Sequence, residues 1–142
     1  MALGAEVPGF LYFTGVKLAG YTAYSHYLRN MLDDPSDRGF GRTFKIGGTR
    51  TLIGLAAGLS YGALAWATHL FDRGDASTVI YLLGLLPIRI AEWWLLLWLF
   101  FPMKNEAGKI GKGVTFGIIV SYLLDALGIL AALVIPGGAW VC

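Results

Sequence analysis

The chain has 142 residues, eleven Lys/Arg, nine Asp/Glu and a net charge of +2, with 56% hydrophobic residues and 20 glycines. Charged residues make up 14%, against roughly 25% in an average soluble chain, and the mean hydropathy is +0.64. These values exclude a disordered chain, a basic nucleic-acid-binding domain and an ordinary water-soluble enzyme, and leave an all-α integral membrane protein whose first partner is the lipid bilayer.

A membrane-spanning helix needs about 20 mostly apolar residues. The first such stretch is 9–28, where Thr14, Lys17, Tyr21 and Tyr24 form a polar stripe at helical spacing. Gly15, Ala19 and Ala23 form a second stripe of small residues on the same span. Asp33-Asp34-Pro35-Ser36-Asp37, with Gly39 and Gly41, then reads as a loop. It spells DDxxD, the pattern that holds Mg²⁺ against a diphosphate in prenyl-diphosphate enzymes, and Arg38 and Arg42 follow as candidate phosphate ligands. Those enzymes carry two such motifs on a far longer helical chain, and no second motif occurs here.

The second span, 48–70, carries Gly54, Gly58 and Gly62 at strict four-residue spacing, a doubled GxxxG ridge for helix packing. Asp72-Arg73-Gly74-Asp75 is the turn into the third span, 77–101, whose strongest apolar run covers 93–101. Pro87 within that span predicts a kink, because it removes one helical hydrogen bond. The link from Pro102 through Lys104 leads to the fourth span, 114–135. There Gly113, Gly117 and Ser121 repeat the small-residue spacing, and Ser121, Tyr122 and Asp125 cluster on one side. Short links predict a single transmembrane domain over 1–142, a polytopic four-transmembrane-helix antiparallel bundle. No internal repeat points to an inverted-repeat transporter.

Lys and Arg set the orientation. Arg29, Arg38, Arg42, Lys45 and Arg50 surround the first link, and Lys104, Lys109 and Lys112 the third, whereas the second link holds Arg73 alone. The first and third links are therefore expected in the cytoplasm, with both termini on the non-cytoplasmic side of a bacterial inner membrane or an organelle membrane. In this reading Arg50 belongs to the flank of the first link.

Four charges cannot be assigned to links: Lys17, Arg89, Glu92 and Asp125. Each sits near its span's midpoint, so all four are expected at one depth. A charge there costs about 2.5–3.5 kcal/mol on the insertion scale, so such groups face the bundle interior and pair, or line a wet cavity. Arg89 and Glu92, three residues apart, can pair locally. Asp125 is expected to meet Lys17, or to compete with Glu92 for Arg89. Tyr21, Tyr24, Ser121, Tyr122 and Pro87 are the expected supporting residues.

No metal or cofactor is expected. His26 and His69 lie at opposite ends of their spans and Cys142 is the last residue, so these groups cannot share an ion, and no HExxH or CxxC occurs. The length and four-span plan resemble the membrane-associated glutathione-transferase and eicosanoid family, with the basic link after span one and Arg89 compatible with it. Span two lacks the Arg, Asn and Glu pattern that would carry glutathione, so the resemblance covers architecture and transfers no residue role.

The leading expectation is transport of an ion, proton or small solute by an oligomer, with Lys17, Arg89, Glu92 and Asp125 as its polar centre. The alternative is a non-catalytic accessory or assembly subunit of a larger membrane complex, with the same charges serving as register locks. A membrane-embedded lipid or isoprenoid enzyme is third.

Overall fold

The computed structural model describes residues 7–32, 39–68, 76–101 and 107–132. Those residues form four helices, α1 (Val7–Met31), α2 (Phe40–Ala67), α3 (Ala76–Phe100) and α4 (Ala107–Ala132), and include no strand. Each helix packs on its sequence neighbours and α1 packs on α4, which closes a ring. The diagonal pairs meet only through side chains, such as Tyr21 with Trp93 and Arg50 with Ser121.

Neighbouring helices run antiparallel. Arg29 near the end of α1 donates to Thr43 Oγ1 near the start of α2 (2.9 Å). Arg42, also near the start of α2, donates to the Phe100 carbonyl that ends α3 (3.0 Å). At the opposite end, the Tyr61 hydroxyl donates to the Tyr81 carbonyl (3.3 Å). Late α1 meets early α4 where Tyr24 donates to the Gly113 carbonyl (2.8 Å).

Two helices start earlier than the expected spans. α2 begins at Phe40 rather than 48, and α4 at Ala107 rather than 114. The stretch 39–47 precedes the expected span, and Gly39 and Gly41 read locally as part of the link. It is helical because it has a close partner: a Cβ on Gly47 would stand 2.7 Å from the backbone N and Cα of Thr22. Glycine at 47 thus lets α1 and α2 approach backbone to backbone. Arg29, which also reaches the Gly39 carbonyl (3.3 Å), ties down the start of α2.

The expected ridge on α2 divides. Gly54 and Gly58 are buried, and the side chain nearest Gly54 is Arg50 of its own helix. Gly62 has nothing within 4 Å of a built Cβ, and neither has Gly15 on α1. Ala19 and Ala23 are exposed. The close approaches lie elsewhere: Gly47 on Thr22, and Gly117 under the Trp93 ring. Pro87 lies on the outward side of α3, which remains one helix from Ala76 to Phe100.

The interior has two parts. Leu28, Leu32, Ile46, Leu96, Leu97, Phe101 and Val114 fill one end with apolar packing. Trp93, fully buried, meets Tyr21 and Tyr24 edge-on, at 5.8 and 5.2 Å between ring centroids. Beyond it the interior is polar: Lys17, Arg50, Arg89, Glu92, Ser121 and Asp125 are all buried. Outside, Leu11, Leu52, Leu64, Trp66, Leu83, Trp98 and Leu123 are exposed, Trp66 to 79%. This reverses the usual placement in water, where charges lie outside and large apolar side chains inside.

Stretches Val79–Phe100 in α3 and Ala107–Gly128 in α4 are long and apolar enough to cross a membrane, with hydropathies of 1.6 and 1.5. α1 and α2 have 25 and 28 residues, and so are long enough, but their polar and charged side chains lower their apolar content. Among the described residues, Arg29, Arg42, Lys45, Lys109 and Lys112 gather at one end of the bundle, and the last two turns or so at the other end carry no Lys or Arg.

Candidate functional site: a charged cluster inside the bundle

Five charged residues, each 6% exposed or less, meet inside the ring and come from all four helices. Asp125 on α4 is shared by two cations. Its Oδ1 faces Lys17 Nζ of α1 at 2.8 Å, and its Oδ2 accepts from Arg89 Nη2 of α3. The Lys17 contact is a close ion pair without hydrogen-bond alignment at Oδ1. Glu92 on α3 takes a different partner, accepting from Arg50 Nη2 of α2 at 2.7 Å.

Helix geometry explains this division. Arg89 and Glu92 are three residues apart, so at 100° per residue their side chains diverge by about 60° around α3. Arg89 turns toward α4 and Glu92 toward α2, the two neighbours of α3 in the ring. The local Arg89–Glu92 pair gives way to two interhelical ones. Of the two expected arrangements for Asp125, the structure has the pair with Lys17, and Arg89 joins it.

Aromatic rings line the cations. The Arg50 guanidinium carbon lies 4.8 Å from both the Tyr21 and Trp93 ring centroids. Arg89 sits over Tyr122 at 5.0 Å, and Lys17 Nζ over Phe13 at 4.4 Å. A ring face carries partial negative charge, and a desolvated cation–π contact contributes up to about 2 kcal/mol.

Ser121 lies beside the Arg50–Glu92 pair. Its hydroxyl oxygen lies within reach of Trp93 Nε1 (3.1 Å), the Tyr21 hydroxyl (3.2 Å) and Arg50 Nη2 (3.4 Å). A hydroxyl oxygen has two lone pairs, so three donors exceed its capacity, and the longest contact, from Arg50, is the weakest. Donors outnumber acceptors here. Arg50 Nε, Arg50 Nη1 and Arg89 Nε are buried and have no hydrogen-bond acceptor among the described residues.

The expected residues fall as follows. Lys17, Arg89, Glu92 and Asp125 come together, and Tyr21, Ser121 and Tyr122 surround them. Tyr24 lies further along α1, stacked on Tyr27 and bonded to Gly113, so it belongs to the packing of α1 on α4. Pro87 is exposed on the outer side of α3. Sequence reasoning missed Arg50, which belongs to the interior and not to the flank of a link. A signal for it existed: Thr43, Gly47, Arg50 and Gly54 recur at spacings of three and four, which puts Arg50 on a face of small residues turned toward neighbouring helices.

Asp33, Asp34, Asp37, Arg38, His69 and Cys142 lie outside the described residues. His26 is exposed on α1, and Arg42 donates to Phe100. Among the described residues, no group of three or more His, Cys, Asp or Glu is placed to hold a metal.

No family model, curated protein or solved structure matches the chain.

Proposed function

We propose that this chain is a small multi-pass membrane protein that moves an ion or small polar solute across the bilayer through its interior charged cluster, working as an oligomer. The supporting observation is the buried charge at the centre: among the described residues, three cations, Lys17, Arg50 and Arg89, gather with two carboxylates, Glu92 and Asp125. A buried charge carries a cost of about 2.5–3.5 kcal/mol at a helix centre, and intramembrane ionisable groups with such a cost mark solute and ion paths by default.

The apolar exterior supports a bilayer setting for all four helices, with α1 and α2 turning their charges inward. Basic residues gathered at one end support the cytoplasmic placement of that end and the non-cytoplasmic placement of both termini. One bundle of four helices encloses little space for a path of its own, which favours an oligomer as the working unit.

The test is flux in liposomes reconstituted with the purified protein. Asp125→Asn and Glu92→Gln abolish flux while the helices persist. Full flux in both variants, or none in the wild type for any ion tried, removes the transport reading.

A second reading has its own observation. The Lys17–Asp125–Arg89 group joins α1, α4 and α3, and Arg50–Glu92 joins α2 to α3, so the pairs link all four helices. In an accessory subunit of a larger membrane complex, these pairs would fix register. That reading requires a stoichiometric larger partner on purification, and a stable isolated homo-oligomer counts against it. The reading as a lipid or isoprenoid enzyme rests on Asp33, Asp34 and Asp37, outside the described residues.

A further inference from the structure

α3 and α4 leave a groove of about 520 Å³ on the outside of the ring. Ile90 and Trp94 form one wall, and Ile110, Val114 and Ile118 the other. Thr115 also lines it, but its hydroxyl turns back to donate to the Gly111 carbonyl (3.0 Å), so the groove stays apolar. Ile90 and Trp94 are 41% and 47% exposed, so the groove opens outward and not toward the charged interior. On α4 the lining runs from Ala107 to Ile118, about 16 Å at the rise of an α-helix. That is close to half of the ~30 Å hydrocarbon core, the depth of one leaflet. The groove begins at the end of the bundle where the basic residues gather.

The sequence at that end is basic. Between 102 and 113, Lys104, Lys109 and Lys112 stand against a single acid, Glu106. Lys112 is exposed and follows directly on Gly111, which lines the groove. A second groove, of about 470 Å³ between α1 and α2, lies in the same half of the bundle. The charges near it in the sequence almost cancel: Arg29, Arg38, Arg42 and Lys45 against Asp33, Asp34 and Asp37. A lipid tail is as apolar as either groove, so burial alone selects no particular lipid. Selection falls to the headgroup, and each Lys near the membrane surface attracts an anionic one.

We propose that the groove between α3 and α4 is a binding site for an anionic phospholipid, one acyl chain lying in the groove and the phosphate beside the lysines of the third link. This rests on the bilayer setting proposed above and not on transport. Charge decides against a second copy of the chain as the occupant. Two copies inserted with one topology would bring the same lysines to the same depth on facing surfaces, where like charges oppose docking. A lipid phosphate meets those lysines with the opposite sign. Gly111 keeps the groove open: a Cβ there would meet nothing within 4 Å, so the glycine serves no close helix contact among the described residues.

The experiment is native mass spectrometry of the purified full-length protein in neutral detergent, titrated with phosphatidylglycerol or with phosphatidylcholine of the same chains. Preferential, saturable binding of phosphatidylglycerol is expected. Lys104→Gln/Lys112→Gln is expected to cut that preference at least about tenfold. Lys109, which has an interaction of its own, stays in place. Gly111→Phe puts a ring into the groove and abolishes the preference. Ala19→Phe, which does the same in the groove between α1 and α2, preserves it. Equal affinity of the wild type for the two lipids overturns the proposal. So does an undiminished preference in Gly111→Phe with its helix content intact by circular dichroism, which would place the lipid elsewhere. If Gly111→Phe does not fold, the lysine variant decides, and an unchanged preference there overturns the site. A wild-type dimer that Gly111→Phe dissociates, with no lipid preference in either, overturns it in favour of a second copy. Alkaline carbonate extraction keeps the bilayer reading apart. Protein that stays in the membrane yet binds both lipids equally loses the lipid site alone, whereas protein released into the soluble fraction loses the bilayer setting and the site with it.

Discussion

Arg50 of α2 and Glu92 of α3 form a 2.7 Å ion pair whose side chains are 0% and 7% exposed. Removing one member of a buried pair leaves the other charged and uncompensated, at a cost of about 3–5 kcal/mol, whereas replacing both with apolar residues is often neutral or stabilising. Glu92→Leu alone is therefore expected to lower the unfolding temperature in detergent sharply. The double variant Arg50→Met/Glu92→Leu recovers most of the loss. A double variant no better than the worse single variant would show that Arg50 serves stability through other contacts.

Asp125 compensates two cations where Glu92 compensates one. Asp125→Asn keeps the shape but leaves both Lys17 and Arg89 without their carboxylate. It is expected to destabilise more than Glu92→Gln, by a further ~1–2 kcal/mol given the cost of an uncompensated buried charge. Parallel denaturant titrations of the two variants read the order directly, and the reverse order would place the main compensating charge at Glu92.

Much of this arrangement was legible in the sequence. Four helices in antiparallel order follow from four long apolar stretches joined by short links. Lys17, Arg89, Glu92 and Asp125 stood out because charge is costly in such stretches, so their convergence follows from sign and depth. The partner choice was not legible. Three-residue spacing brings Arg89 and Glu92 near each other on a helix, but which neighbour each one faces depends on how α3 is rotated in the ring, a tertiary property. Arg50 was hidden for another reason: it stands at the third residue of the expected span and was counted with the basic flank of the first link, whereas α2 begins at Phe40 and so holds Arg50 well inside the helix.

The glycines give a prediction that spacing alone would order differently. A Cβ at Gly47 meets the backbone of Thr22 at 2.7 Å, and one at Gly117 meets the Trp93 ring at 2.5–3.0 Å. Backbone cannot move aside as a side chain end can. Gly47→Ala and Gly117→Ala are each expected to cost about 1–3 kcal/mol through overpacking. Gly62, in the four-residue repeat, has nothing within 4 Å, so Gly62→Ala is expected to be neutral or to stabilise by roughly 0.5–1 kcal/mol through helix propensity. Thermal unfolding of the three variants tests this, and a strong loss in Gly62→Ala would mean that this face packs against a second chain.

Ser121 is the acceptor for Trp93 Nε1 and lies against the Tyr21 hydroxyl and Arg50. Ser121→Ala leaves these buried donors without it, which is expected to cost about 1–3 kcal/mol. The change should also appear in the ultraviolet spectrum of Trp93, whose indole N–H loses its partner while its ring stays packed over Gly117. Ser121→Thr keeps the oxygen and is expected to restore the spectrum. An unchanged spectrum in Ser121→Ala would remove Ser121 as the hydrogen-bond centre of the cluster.

Orientation in the bilayer can be tested apart from any transport. Five basic residues of α1, α2 and α4 gather at one end of the bundle, and the opposite ends of all four helices carry none among the described residues. Helices of 25 to 28 residues rise about 37–42 Å, more than the ~30 Å hydrocarbon core. Each could cross with its basic end in the cytoplasmic headgroup region. Single cysteines placed in a Cys142→Ser background at Ser36 and Asn105 are therefore expected to resist a membrane-impermeant thiol reagent added to intact cells, while one at Gly74 reacts. Alkaline carbonate should leave the protein in the membrane fraction. If Ser36→Cys and Gly74→Cys report the same side, α2 does not cross, and only the two helices with sufficient apolar length, α3 and α4, would remain as candidate spans.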